Sequence, residues 1–249
     1  MPDAPAASEV FDMENSPLTQ AQDLLGQIRS FSSPAFKKQM QTRFGINTER
    51  AVGTPVTKLR EIAKHISKPN QALADELWKS GVHEARILAA LLADPAHTTR
   101  AQLDNWVADL NSWDICDACA CHLFSKVKDP VKLAEKWIKK EGEFVRRAGF
   151  ATLCFLALPR AKTPDAQLTK LLPLVKIHAA DPRPMVYKAV NWTLRSIGKK
   201  NPRLTPHAVA CAYEILDLYP DNRTARWVAN NALWELHSPK IKALIAHRK

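Results

Sequence analysis

Past residue 17, apolar and polar positions recur with helical period, and no stretch shows the two-residue alternation of a half-buried strand. The pattern predicts helices near 18–31, 34–43, 55–66, 70–80, 83–93, 97–110, 113–127, 130–141, 143–158, 164–179, 184–199, 203–219, 221–236 and 239–247. Prolines punctuate them. Ser33-Pro34, Thr54-Pro55, Asp94-Pro95, Asp129-Pro130, Thr163-Pro164, Asn201-Pro202 and Ser238-Pro239 each place a capping side chain before a proline suited to a first turn.

The helices also repeat. Glu84-Ala-Arg-Ile-Leu-Ala-Ala-Leu-Leu92, Val145-Arg-Arg-Ala-Gly-Phe-Ala-Thr-Leu153, Val186-Tyr-Lys-Ala-Val-Asn-Trp-Thr-Leu194 and Thr224-Ala-Arg-Trp-Val-Ala-Asn-Asn-Ala-Leu233 each set a basic residue before a small, apolar run. Aligned, Arg86, Asp117, Arg147, Lys188 and Arg226 form one column, roughly 30 to 40 residues apart, with two helices per unit. That period predicts an all-α fold, an α-solenoid of HEAT-like or armadillo type whose inner helices line a concave groove. Residues 18–249 read as one such domain. Residues 1–17, polar and rich in Pro and Ala, read as a disordered tail.

The column carries four cations and a single acid. Asp117 lies four residues after Trp113, so both side chains share a helix face inside an otherwise core-like run. A carboxylate there is costly unless paired, solvated or used. Trp192 stands one turn after Lys188. Two indoles flanking a carboxylate offer flat apolar faces for a sugar or a cationic base, and the carboxylate itself suits an oxocarbenium-like sugar and an attacking water. Arg147 suits an adjacent phosphate, as Arg86, Lys188 and Arg226 do. The plainer alternative for each residue alone is a core indole or a structural ion pair. Asp114 reads as a first-turn residue of its helix.

Charge fits that picture. The chain of 249 residues carries a formal net charge of +11, and its first 17 residues hold Asp3, Glu9, Asp12 and Glu14 with no Lys or Arg, so the remainder is more basic still. Such a balance suits a polyanion, most commonly nucleic acid. The five cysteines form no secreted-type framework, the N-terminus does not read as a signal peptide, and no apolar run is long enough to span a bilayer; a cytoplasmic protein is expected. Cys116, Cys119, Cys121 and His122 share one predicted helix, where their side chains spread around the axis, so no metal is expected. Trp78, Trp106, Trp137, Trp227 and Trp234 are read as core, Trp227 least firmly because it neighbours Arg226. No phosphate-binding glycine loop, dinucleotide fingerprint or nucleophile elbow is present.

Three segments together, Ser112-Trp-Asp-Ile-Cys-Asp117, Phe144-Val-Arg-Arg-Ala148 and Lys188-Ala-Val-Asn-Trp-Thr-Leu-Arg195, resemble the AlkD-like DNA alkylation repair family of HEAT-like-repeat DNA glycosylases, over roughly residues 18–236. The resemblance implies a monofunctional glycosylase that hydrolyses the N-glycosidic bond of N3- or N7-alkylated purines in duplex DNA. It implies no flipping pocket; no cofactor or metal is expected. It places the essential acid on Asp117, its aromatic partners on Trp113 and Trp192, and the family arginine on Arg147 and not Arg146; Arg146 is expected as a further DNA contact. Some relatives carry an aromatic in the first helices where Lys37–Phe44 offers Gln39 and Met40, and Asn47–Thr54 reads as a longer loop. Some relatives bind DNA without excising bases. The expected protein is a monomer acting on alkylated duplex DNA; the alternatives are a non-catalytic binder of DNA structures and a HEAT-type adaptor for an acidic protein.

Overall fold

The computed structural model describes residues 16–66 and 69–248, and these contain helices and no strand. In chain order the α-helices are α1 (Pro17–Ser30), α2 (Pro34–Phe44), α3 (Val56–Lys64), α4 (Gln71–Lys79), α5 (His83–Leu92), α6 (Arg100–Ala108), α7 (Trp113–Cys119), α8 (Pro130–Ile138), α9 (Glu143–Leu156), α10 (Asp165–Thr169), α11 (Leu172–His178), α12 (Pro184–Lys200), α13 (Leu204–Leu218), α14 (Arg223–His237) and α15 (Pro239–Ala246). The tail expected over 1–17 lies outside the described residues as far as residue 15, and Pro17 already opens α1. No described helix is long and apolar enough to cross a membrane.

Local chemistry explains most boundaries. Ser33 accepts from Phe36 N at 3.2 Å and Ser238 from Ile241 N at 3.4 Å, as their Ser-Pro pairs predict. Three other pairs cap differently. Thr54 donates its hydroxyl to the Ile28 carbonyl at 2.6 Å, leaving Pro55 as the residue before α3. Pro164, not Thr163, precedes α10. Asp94-Pro95 opens a turn and no helix: Asp94 accepts from Ala96 N at 2.9 Å, and α6 starts only at Arg100. The helix expected over 164–179 is split into α10 and α11, because Pro173 has no N–H to continue the ladder. The helix expected over 113–127 widens after Cys119 into a π-helical turn, Ala120–Phe124, with Ser125 N bonding Ala120 O at 3.2 Å.

The sequence suggests one uninterrupted domain over 18–249; the chain gathers into two compact units. The first comprises the residues up to Trp106 with Lys126–Lys128. Here α1, α3 and α4 all pack on α5. Glu84, fully buried at the start of α5, anchors the loop before α3: its carboxylate accepts from Val52 N at 2.9 Å, Gly53 N at 2.7 Å and Thr54 N at 3.2 Å. Gly53 has φ of 87°, and a β-carbon there would meet Ser33 O at 2.4 Å, so the loop's approach to α2 requires glycine.

The second unit comprises Val107–Ser125 and Asp129–Lys249. It is layered. One layer is the series α7, α9, α12, α14, each packed on the next; α8, α11 and α13 pack against it from the other side. Buried leucine, isoleucine, valine and alanine fill the space between, including Ile138, Leu153, Val190, Leu194, Ala212 and Val228. Gly149 lets α8 approach α9, since a β-carbon there would lie 2.7 Å from the Ala134 carbonyl. Buried polar side chains stitch successive helices of the series. Thr193 donates to Phe150 O at 2.9 Å, and Asn191 to Val228 O at 2.9 Å. Losing the second bond, and the Asn191 oxygen that accepts from Arg195 Nε at 2.9 Å, makes Asn191→Leu an expected loss of about 1–3 kcal/mol, measurable by urea unfolding.

Candidate DNA-facing site

Trp113 and Asp117 are carried by α7, Arg147 by α9, and Lys188 and Trp192 by α12, three helices packed in series. Ser112 precedes α7 in extended conformation, and Asp114 occupies the first turn, where it accepts from Ile115 N at 3.0 Å and from the Ser112 hydroxyl. Asp114 thus has the helix-start role its position predicts.

Asp117 and Arg147 form the centre. Arg147 donates from Nη2 to both carboxylate oxygens at 2.9 Å and from Nε to Oδ1 at 3.2 Å, while Nη1 donates to the Met185 carbonyl at 2.9 Å. The fork matches the carboxylate plane and fixes its orientation. The arginine side chain is 7% exposed and the aspartate 22%, so the pair is buried from the arginine side and opens to solvent at the acid. Burial pushes the Asp117 carboxyl above the ordinary aspartate value, and the Arg147 guanidinium only partly reverses this. Burial also disfavours the charge on Arg147, but Asp117 outweighs it and holds the guanidinium above its usual value. Sequence alone suggests that Arg147 grips a phosphate; the structure engages all three of its nitrogens with Asp117 and a backbone carbonyl. In the structure Arg147 therefore orients the Asp117 carboxylate.

The two candidate indoles are carried by α7 and α12. Trp113 and Trp192 are both half-buried, and Trp192 meets Phe155 edge-to-face at 5.5 Å, which sets its ring plane.

The remaining candidates divide. Lys188 and Arg226 are exposed on α12 and α14. Arg86, in the first unit, lies over the Trp78 ring at 5.0 Å, and Trp78 stacks on Trp106 at 4.1 Å. Arg146, read as a DNA contact, is 8% exposed and donates to Ile138 O at 3.0 Å, Asp181 at 2.8 Å and Glu141 at 3.1 Å. Its guanidinium is built into the fold. Asp181, which the sequence does not single out, binds both Arg146 and Arg183 and ties the first turn of α9 to the start of α12. Burial works against its charge, but the two arginines prevail and bring its pKa to about 2. A depressed carboxylate pKa stabilises the fold above the ordinary aspartate value, and that contribution is lost as pH falls through about 2. Asp181→Asn is therefore expected to cost about 2 kcal/mol near neutral pH, by leaving buried Arg146 with only the exposed Glu141 as counter-charge, and to flatten the acid limb of stability against pH.

Two aromatic readings are corrected. Trp78, Trp106 and Trp137 are core, but Trp227 is 43% and Trp234 74% exposed. Of the cysteines, Cys116 and Cys119 are buried and Cys121 half-buried; among the described residues no three His, Cys, Asp or Glu side chains gather as metal ligands.

Stacked helix pairs of this kind define the class: the fold matches that of the HEAT-like repeat proteins. A solved structure aligned with TM-score 0.69 and 24% identity, covering 78% of this chain and 82% of its own, is described as belonging to "a new family of proteins related to the HEAT-like repeat DNA glycosylases with affinity for branched DNA structures". The family model "DNA alkylation repair enzyme" matches residues 24–236, and the chain belongs to that family. No functionally curated protein matches it.

Proposed function

We propose that this protein is a monofunctional DNA glycosylase that hydrolyses the N-glycosidic bond of N3- or N7-alkylated purines in duplex DNA. The observation that carries the reading is the Asp117 carboxylate, held in plane by a buried arginine, open to solvent at its own end, and accompanied by two half-buried indoles on packed helices. Alkylation places positive charge on the base. As the bond from C1′ to the purine nitrogen breaks, its electron pair neutralises the departing base and the positive charge passes to the sugar. Asp117 stabilises that charge and accepts a hydrogen bond from the water that attacks C1′. The water's proton is lost to solvent. Trp113 and Trp192 supply apolar faces to the nucleotide, and Lys188 and Arg226 supply phosphate contacts. No cofactor or metal enters these steps.

The test is incubation with an oligonucleotide duplex containing 7-methylguanine, with free base measured by chromatography against a protein-free control. Release above control that depends on Asp117 is expected; no release by the wild-type protein overturns the reading.

Because the reaction needs ionised Asp117 and burial raises its pKa, base release corrected for spontaneous loss should fall on the acid side, with a midpoint above the ordinary aspartate value. A rate that stays flat down to about pH 4 would contradict that assignment.

A second reading is a non-catalytic binder of DNA structures, favoured by the described affinity of the similar solved protein for branched DNA. It predicts tight, salt-sensitive binding to a junction and no base release.

A further inference from the structure

Helix α14 carries two faces. Ala225, Val228, Ala229, Ala232, Leu233 and Leu236 are buried against the core. Arg223, Arg226, Trp227, Asn230, Trp234 and His237 are all exposed, and their spacing of three and four residues places them on one stripe. No acidic residue stands in the stripe. Trp227 meets the Tyr187 ring edge-to-face at 5.2 Å, so the aromatic surface continues onto α12, where Tyr187 neighbours exposed Lys188.

Leaving large indoles in water forfeits the gain from burying them. Trp234, at 74% exposure, is the more open of the two. Interleaving them with arginines and an asparagine suits a partner that is both flat and anionic. An unpaired nucleotide strand is that: every base has a π-face for an indole, and every phosphate a charge for an arginine. Trp227 and Trp234 are seven residues apart, which is about 10 Å along the helix. At about 3.4 Å per nucleotide this spans about three nucleotide steps. Bases inside an intact duplex are stacked on one another and have no free face for an indole.

We infer that the exposed face of α14, with Trp227 and Trp234 stacking on bases and Arg223 and Arg226 holding phosphates, binds a short unpaired DNA segment. The two indoles of this face are distinct from those beside Asp117, its Arg226 is shared with the phosphate contacts proposed above, and binding here does not require base excision.

The experiment is fluorescence anisotropy with the full chain and undamaged DNA at several salt concentrations. A plain duplex is compared with duplexes carrying single-stranded 3′ or 5′ extensions of increasing length. Tighter binding to extended substrates is expected, with the gain levelling off near about four unpaired nucleotides, the span set by the two indoles. The double variant Trp227→Ala, Trp234→Ala should lose that gain by about tenfold or more while binding plain duplex as before. Trp227→Phe with Trp234→Phe keeps an aromatic face and should restore most of it. Circular dichroism of each variant establishes folding, which substitution at exposed positions should leave intact. Equal preference for unpaired DNA in wild type and double alanine variant overturns the inference. So does a wild-type protein that sediments as a dimer dissociated by Trp234→Ala with no change in DNA binding, because the stripe then serves self-association. Base release from 7-methylguanine by the double variant, with the extension preference lost, separates this site from the Asp117 chemistry.

Discussion

Asp117→Asn is expected to lower release of 7-methylguanine by about a hundredfold or more while leaving duplex binding within a few-fold of wild type. Asparagine has the size of aspartate and keeps one acceptor oxygen for Arg147, but it has no charge to set against a sugar cation. The loss should therefore fall in the single-turnover rate and not in affinity. Arg147→Lys tests the positioning role: a lysine cannot form the planar fork that meets both oxygens at 2.9 Å, so the rate should fall although the charge is kept. If Asp117→Asn releases base at the wild-type rate, the carboxylate has no part in the reaction.

Glu84→Ala is the largest expected loss of stability. The carboxylate is fully buried, and three successive backbone N–H groups, of Val52, Gly53 and Thr54, end on it. Removing it orphans all three in a place that Gly53 holds tightly against α2. Each orphaned buried donor costs about 1–3 kcal/mol, so a total of about 4 kcal/mol is expected in urea unfolding. Glu84→Gln retains one acceptor oxygen and should cost less. A Glu84→Ala protein with an unchanged midpoint would show that this loop draws nothing from the carboxylate.

Both residues illustrate what could be read from the sequence. Glu84 was visible only as the residue opening one repeat; its service to a loop some thirty positions earlier is a long-range contact that no local spacing encodes. Asp117 stood out as a candidate because an acid in a column of cations is conspicuous without coordinates. What the column did not reveal was the allocation of its arginines. Arg146 and Arg147 are adjacent and chemically identical, yet on a helix they point about 100° apart. One is drawn into a buried pair with Asp181, the other onto Asp117. The exposed tryptophans were nearer to legible. Trp227 and Trp234 fall off the stripe of Ala225, Val228, Ala229, Ala232 and Leu236, a mismatch present in the sequence; treating any helical tryptophan as core conceals it.

By itself the sequence determined the all-α repeat class and most of the helices, and it nominated the acid and its two indoles as candidates. It could do so because helix periodicity, proline punctuation and repeat alignment are local or regularly spaced, and each leaves a residue-by-residue imprint. Only the tertiary structure decided which arginine orients Asp117, which one merely braces the fold, where a buried carboxylate pins a loop, and which tryptophans meet water. Those outcomes depend on which neighbouring helix each side chain meets, and burial and hydrogen bonding are fixed only when the helices pack.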